Sequence, residues 1–438
     1  MTNLTFKKLC ISEWRQFRAV DLDLHERLTV ITGANGSGKS TLLNIFAQHF
    51  GWQRPYLATP RRKSGDTAYS YFSGLRPRRQ LLSNPAASQQ QEHLGTIEYS
   101  DGKVGTLVAP MQTGVQYNLQ VNGQSHVRGV HIPSHRPLPF YQQVANIPTN
   151  ALSAEQAYNY YFSETVQRFN GSHTQFGPTY RLKESLISMA TFGAGNAYVQ
   201  GNEAALNAYV GFEEVLRKVL PRTLGFERIS IRTPDVVLVT KSGDFLIDAS
   251  SGGIMALVDL AWQIHLFSLS LSAGVGEKFV VTMDEPENHL HPSMQRSLLA
   301  DLINAFPNAQ FVIATHSPFM VSSVRDSNVY VLDYRDDDDD EFSESERSEN
   351  VHKSNRKVMS EKLDTVNRAG TANEILRDVL GVPATIPEWV ESTLNDVVNE
   401  FRMIPISNQS LDLLRSRLNQ LGFGELYPHA LSNLVGAK

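Results

Sequence analysis

Apolar and polar residues alternate over residues 20–24, where Val20, Leu22 and Leu24 are separated by Asp21 and Asp23, the period of a strand with one buried face. Residues 28–32, Leu-Thr-Val-Ile-Thr, continue in strand-like fashion. The period then changes: Leu42, Leu43, Ile45, Phe46 and Phe50 recur at helical spacing. Between them lies a glycine-rich segment, so the order strand, loop, helix is predicted for residues 28–50. Residues 51–95 lose periodicity and are rich in Arg, Pro, Ser and Gln, which predicts loops and short elements. Alternation returns over residues 96–147, with Asp101-Gly102 and Asn122-Gly123 as tight-turn dipeptides, and predicts a small antiparallel sheet. Residues 151–222 read as mostly helical, and residues 226–248 as a hairpin turning near Lys241-Ser-Gly-Asp244.

The second half has a different texture. A helix over residues 254–271, an apolar strand at 279–283, a helix at 293–306 and an apolar strand at 310–315 predict an α/β sheet covered on both faces. The glycine loop and this half are separated by more than two hundred residues, so the core is split by an inserted arm. Five aspartates at 336–340, followed by Glu, Ser and Arg, predict a self-repelling disordered loop over 334–356. Residues 357–438 read as a helical tail. One stripe is Val390, Leu394, Val397, Val398 and Phe401; another is Leu411, Leu414, Leu418 and Leu421, ended by Gly422. The expected domains are therefore an N-terminal lobe at 1–150, a helical insertion at 151–225, a C-terminal lobe at 226–333, the acidic loop and the tail.

Composition narrows the class. The 438 residues are 41% hydrophobic and 19% charged, with net charge −5, so nucleic-acid binding requires a local basic patch. One cysteine, Cys10, excludes an internal disulfide and suits a reducing compartment. The first residues lack the apolar run of a secretory signal, and the apolar stretch at 254–275 is interrupted by Asp259, Gln263 and His265. A cytoplasmic protein without a membrane partner is expected.

The chemistry begins at Gly33, Ala34, Asn35, Gly36, Ser37, Gly38, Lys39 and Ser40, with Thr41 following: a complete G-x-x-x-x-G-K-S loop between a strand and a helix. Its glycines let backbone N–H groups curl around phosphate oxygens at a helix N-terminus. Lys39 is placed to reach the β- and γ-phosphates and Ser40 to ligate Mg²⁺, so ATP and Mg²⁺ are the expected cofactors. Asp284 and Glu285 end an apolar strand; the first can hold Mg²⁺ and the second can polarise an attacking water. Ser250, Ser251, Gly252 and Gly253 form a small turn before a helix, suited to a γ-phosphate. His316, just past another apolar strand, is placed either for structure or to donate to the γ-phosphate or the water.

Together these four features resemble the ABC-type ATPases of the SMC, RecF and OLD side. The segment Asp284-Glu-Pro-Glu-Asn-His-Leu-His-Pro292 is especially similar to soluble, non-transporter members. The resemblance implies an α/β fold: a split ABC-type P-loop ATPase core with an inserted β-hairpin and helical arm and a C-terminal helical tail. It casts residues 33–40 as Walker A, 250–253 as signature, 283–285 as Walker B and His316 as the H-loop switch. It implies two chains paired head to tail, each ATP held between one chain's Walker motifs and the other's signature serine. Glu285 is then the general base, catalysing with Lys39 and His316, and residues 287–291 form the D-loop across the interface. The sequence departs from transporters at Ile254, where they commonly carry a polar residue. Gln142 and Gln143 are candidates for the Q-loop, and Ser134, His135 and Arg136 for a phosphate contact. His289 and His291 have the spacing of a metal pair, but inside this motif they read as D-loop residues.

The resembling soluble ATPases include those of Septu-type and retron-associated antiphage systems, often beside a nuclease. The first reading is accordingly an ATPase controlling a separate effector, a nuclease or toxin. The alternative is a RecF-like DNA-binding ATPase of repair or chromosome maintenance. A transporter motor is disfavoured by the long arm and the Asn-His-Leu-His-Pro continuation, and a self-contained OLD-type nuclease by the short remainder after His316. DNA binding rests on Arg54, Arg61, Arg62, Lys63, Arg76, Arg78 and Arg79 with Tyr69, Tyr71 and Phe72 between, which could equally be a solvated surface. The DNA reading predicts that replacing Arg76, Arg78 and Arg79 by Glu abolishes a salt-sensitive gel shift; unchanged binding removes it.

Overall fold

The computed structural model describes residues 3–61, 70–74, 91–110, 114–136, 140–271, 277–336, 356–364, 371–380, 388–402, 404 and 407–435. Contacts divide the chain into two compact units, Met1–Ile375 and Leu376–Lys438.

The first unit is built on strands β1 (Phe6–Trp14), β2 (Phe17–Asp23), β3 (Leu28–Gly33), β4 (Tyr56–Leu57), β5 (Thr59–Arg61), β6 (Ser70–Phe72), β7 (Gln91–Tyr99), β8 (Val104–Pro110), β9 (Gln116–Tyr117), β10 (Gln120–Asn122) and β11 (Gly129–Ile132). The later strands are β12 (Phe226–Arg232), β13 (Asp235–Thr240), β14 (Phe245–Leu246), β15 (Phe279–Asp284), β16 (Ala309–Ala314), β17 (Asn328–Asp336) and β18 (Arg356–Lys362). One 11-stranded sheet runs β10-β8-β7-β1-β2-β18-β17-β3-β16-β15-β11. From β11 to β17 its neighbours pair in parallel. The other half is antiparallel except where β18 meets β2. Every residue of β3 and β16 is buried, as central parallel strands covered on both faces require.

The helices are α1 (Lys39–Ala47), α2 (Ala154–Phe169), α3 (Pro178–Gly193), α4 (Glu203–Val219), α5 (Gly252–Ser270), α6 (Pro292–Ala305) and the short α7 (Pro318–Val321). Their starts follow local chemistry. Ser153 and Gln156 form a capping box before α2, Pro178 takes the first position of α3, and the Asn202 side chain caps α4. By length and composition alone α5 could cross a membrane, but 72% of that apolar window is buried inside the fold. Its Trp262 is fully buried edge-on to Phe212 of α4, at 4.7 Å between ring centroids.

The predicted antiparallel sheet at 96–147 is not a separate sheet: β7, β8 and β10 extend the main one. The Asp101-Gly102 turn joins β7 to β8, whereas after Asn122-Gly123 the chain runs to β11, which pairs in parallel with β15. Residues 226–248 hold three strands, with one turn between β12 and β13 and the anticipated one between β13 and β14. A larger correction concerns the expected tail. Residues 356–362 are not helical but form β18, which pairs with β17 over Tyr330–Asp336 and with β2 at Phe17 and Ala19. The acidic connector is thus shorter than expected; its residues 337–355 join two strands and lie outside the described residues.

In the second unit, helices at 388–402, 408–420 and 427–435 bury Leu394, Val397, Val398, Leu414, Leu418, Ala430 and Leu434 in one cluster.

One side chain ties the two halves of the large sheet together. Gln310 of β16, 2% exposed, accepts from Phe6 N (3.0 Å) and donates to Phe6 O (2.8 Å) and His25 O (3.1 Å). Gln310→Leu keeps the bulk but leaves buried backbone groups of Phe6 unpaired. Urea unfolding should show a loss of about 2–4 kcal/mol; a loss within error of zero contradicts this role.

Candidate nucleotide site

Three parallel strands end side by side. Ile31 of β3 is level with Ala314 of β16, which is level with Asp284 of β15. Everything that follows these residues therefore meets at the carboxyl edge of the sheet, where open α/β sheets place ligands.

After β3 the chain turns through the glycine loop into α1. Gly33 has φ 136°, and a Cβ there would stand 2.4 Å from Leu332 O of β17. Gly38 has φ 103°, and its Cβ would strike Phe17 and Gln16. Only glycine fits either position. Lys39, 5% exposed, folds back so that Nζ donates to Gly33 O and Ala34 O, each at 3.0 Å. Burial lowers its pKa to about 8, opposed by the charges of Asp284, Glu285 and Glu287. The Ser37 hydroxyl is buried without a partner.

At the end of β15, burial pushes Asp284 up to about 6, while a hydrogen bond from Ser40 opposes the shift. Its Oδ1 is buried and unpartnered. A hydroxyl and an orphaned carboxylate oxygen form the hard donor set that suits Mg²⁺ with phosphate and water completing the shell. Glu285 takes a left-handed backbone, φ 47°, and its amide donates to Ala314 O at 2.9 Å. Its Oε2 accepts from Asn288 Nδ2 (3.1 Å), and its Oε1 lies 3.8 Å from His316 Nε2. Burial, then the Lys39 charge, lowers the His316 pKa against the pull of Glu285, favouring the neutral ring. The arrangement can place a water between a carboxylate and an imidazole beside a phosphate loop.

The sequence did not reveal what holds His316. Glu287 Oε1 accepts from Thr315 Oγ1 (2.7 Å) and His316 N (2.8 Å) of the same chain. Thr32 Oγ1 donates to Thr315 O (2.9 Å), fixing the ends of β3 and β16 together. The available signal was an acid two residues past Glu285 and a threonine just before His316. His291 caps α6, accepting from Ser293 N at 3.3 Å, so it has a local structural role.

The Q-loop candidates lie in the segment before α2. Gln142 donates to Gln175 O (3.4 Å) and accepts from Gly177 N (3.3 Å), which straps it to the segment before α3, and Gln143 is exposed. Ser134 O accepts from Asn288 Nδ2 (3.3 Å), and Arg136 donates into the same turn, so both brace the turn after β15. In the signature segment, Ser251 caps α5 by accepting from Ile254 N at 3.4 Å, and Ser250 Oγ is buried without a partner. A Cβ on Gly253 would come within 3.1 Å of His289 O, so the turn lies closely on residues 289–290. Lys183 of α3, fully buried, secures the approach through Asp248 Oδ2 (2.8 Å) and Gln142 O (2.7 Å). Among the described residues, no hydrogen bond or ion pair joins residues 250–253 to residues 33–40.

Of the basic segment, Arg54 lies 5.4 Å over the Phe169 ring and Tyr71 packs on the main core. Arg62, Lys63, Tyr69, Arg76, Arg78 and Arg79 lie outside the described residues, as do the side chains of Arg61 and Phe72.

This arrangement, with the glycine loop and Asp284 on strands separated by the one that leads to His316, has the α/β layout expected for a split ABC-type P-loop ATPase core. Family comparisons agree: residues 8–106 match the family described as "AAA domain", and residues 264–322 match that described as "AAA domain, putative AbiEii toxin, Type IV TA system". Within this class the chain is similar to the soluble ATPases of the SMC, RecF and OLD side found with defence systems. It is 34% identical over 113 residues to the retron Vc95 probable ATPase of Vibrio cholerae, covering 24% of this chain and 22% of that protein. It is 29% identical over 143 residues to the retron Ec83 probable ATPase of Escherichia coli, covering 31% and 25%. The Septu protein PtuA of Bacillus thuringiensis is 23% identical over 185 residues, covering 40% and 42%. The matched segments thus span about a quarter of either retron relative's length. Among solved structures, an Smc head domain from Pyrococcus furiosus overlays with a TM-score of 0.42 at 13% identity, covering 86% of this chain and 99% of that one.

Because the folded pKa of Asp284 lies above its unfolded value of 3.8, its ionisation opposes folding increasingly as pH rises from about 4 through about 6. Asp284→Asn should therefore stabilise the nucleotide-free protein at pH 8, by at most about 3 kcal/mol before solvent screening. The gain should fade as pH falls below 6. Thermal unfolding across this pH range reads it, and a gain that does not change with pH refutes the assignment.

Proposed function

We propose that this chain binds ATP with Mg²⁺, hydrolyses it at an interface between two copies, and uses the nucleotide state to control a separate effector in antiphage defence. The observation that carries the reading is the convergence of Lys39, Ser40, Asp284, Glu285 and His316 at the ends of three adjacent parallel strands. In this reading the backbone amides of Gly33, Ala34, Asn35, Gly36, Ser37, Gly38 and Thr41 cradle the phosphates. Lys39 would turn from the loop carbonyls to the β- and γ-phosphates, whose charge favours the ammonium that burial disfavours. Ser40 and Asp284 hold Mg²⁺, which neutralises phosphate charge. Glu285 takes the proton of the attacking water, and neutral His316 orients that water or donates to the γ-phosphate.

Residues 250–253 have no bond to the phosphate loop of their own chain, yet Ser250 Oγ is orphaned at a helix N-terminus that suits phosphate. This supports a partner copy presenting Ser250, Ser251, Gly252 and Gly253 to the γ-phosphate. The names of the retron and Septu relatives support a defence role, and an effector such as a nuclease or toxin is the partner to seek. A cytoplasmic site of action fits both this partner and the burial of α5. The RecF-like alternative rests on the basic segment at 54–79.

Lys39→Ala should lose nucleotide binding. Glu285→Gln should keep ATP, lose at least about 100-fold in turnover, and accumulate as a dimer by light scattering with ATP and Mg²⁺. Unchanged turnover in Glu285→Gln removes the proposed base. A tagged Glu285→Gln pull-down with ATP and Mg²⁺ tests the partner: a stoichiometric second protein supports effector control, and DNA alone favours the alternative.

A further inference from the structure

Arg136 follows β11, and the sequence pointed it at phosphate. Its guanidinium instead enters the turn after β15. Nη2 donates to Glu285 O (3.4 Å), Pro286 O (3.4 Å) and Asn288 O (3.3 Å). The turn itself is held in uncommon backbone geometry, with Glu285 at φ 47° and His289 at φ 72°, neither a glycine. Such conformations persist where surrounding contacts over-determine them. Asn288 supplies a second hold, donating to both Ser134 O (3.3 Å) and Glu285 Oε2 (3.1 Å).

Nε and Nη1 of Arg136 are buried without hydrogen-bond partners and lie in the field of Asp259 on α5 and Tyr161 on α2. Asp259 accepts from the Tyr161 hydroxyl and from Gln263 Nε2 (3.0 Å), so it is fixed between the two helices. The remaining charges around Arg136 are Glu285 and Glu287. Helix α5 begins at Gly252, in the signature segment.

We propose that Arg136 is a positioning residue for hydrolysis, fixing the backbone of the turn that carries Glu285. The planar guanidinium suits this role, because one nitrogen spans three carbonyls of the turn, a geometry that a lysine ammonium does not reproduce. The inference rests on the hydrolytic reading of Glu285.

Two readouts separate its failure from failure of that reading. Hydrogen exchange in the nucleotide-free protein follows the amides of residues 285–290, two of which, Asn288 N and Leu290 N, close the turn onto Glu285 O and Glu287 O. Arg136→Lys and Arg136→Met should both lose protection there while protection across β3 and β16 is retained. In steady state with ATP and Mg²⁺, both variants should lose about 100-fold in kcat, with ATP affinity within about threefold of the wild type. Retained protection at 285–290 overturns the proposal whether or not the protein hydrolyses ATP. Wild-type kcat in Arg136→Met overturns it with the function intact. A wild type that hydrolyses nothing defeats the hydrolytic reading and the positioning role that depends on it.

Discussion

The parallel register of β15, β16 and β3 is the constraint from which the site follows. No two of its polar residues are neighbours because of local sequence alone, apart from those within each loop. They meet because Asp284, Ala314 and Ile31 lie at one level, and because a one-residue slip of a strand packed on both faces would move every side chain to the opposite face. At that edge three carboxylates, Asp284, Glu285 and Glu287, face one ammonium, Lys39. Burial raises Asp284 and lowers Lys39, so both groups resist their charged state. In the proposed function, a divalent cation with its anionic phosphates would offset both shifts at once.

The signature segment is held by different means. Lys183 is fully buried with Asp248, and such a pair is weak as net stabilisation but strongly destabilising when one member is lost. It spans α3 and the turn that precedes α5, and the same ammonium also holds the Gln142 carbonyl. The helical arm is therefore a splint that sets where the start of α5 can go. Asp259 of α5 accepts from the Tyr161 hydroxyl of α2, a second tie between the arm and this helix.

What could be read in the sequence was what is local. The glycine loop, the acids after an apolar strand and the histidine after another are each complete within a few residues, and each falls at a strand end because the apolar run ends there. Elements whose burial is decided by distant partners were hidden. β18 reads Arg-Lys-Val-Met-Ser-Glu-Lys, and its place in the sheet comes from pairing with β17 and β2, not from an apolar period. β11, Gly-Val-His-Ile, is wholly buried beside β15 but too short to announce itself. Glu287 works by reaching across to the residues after β16, and Arg136 by contacts with a turn more than a hundred residues further along the chain. The partners of Gln142 were hidden for a related reason: glutamine in a linker has no pattern that distinguishes a phosphate contact from a strap to the next helix.

The strand order also sets a timetable. β1, β2, β7 and β8 are antiparallel neighbours drawn from the first quarter of the chain, and can pair as soon as they leave the ribosome. β3 lies among them in sequence yet pairs only with β16 and β17, whose first residues are Ala309 and Asn328. At typical synthesis rates that interval is roughly 15–55 s. Throughout it the strand bearing the phosphate loop has both backbone edges open and no native partner to close them. The apolar Leu28, Val30 and Ile31 then present an aggregation hazard that lasts until the last strands of the core arrive.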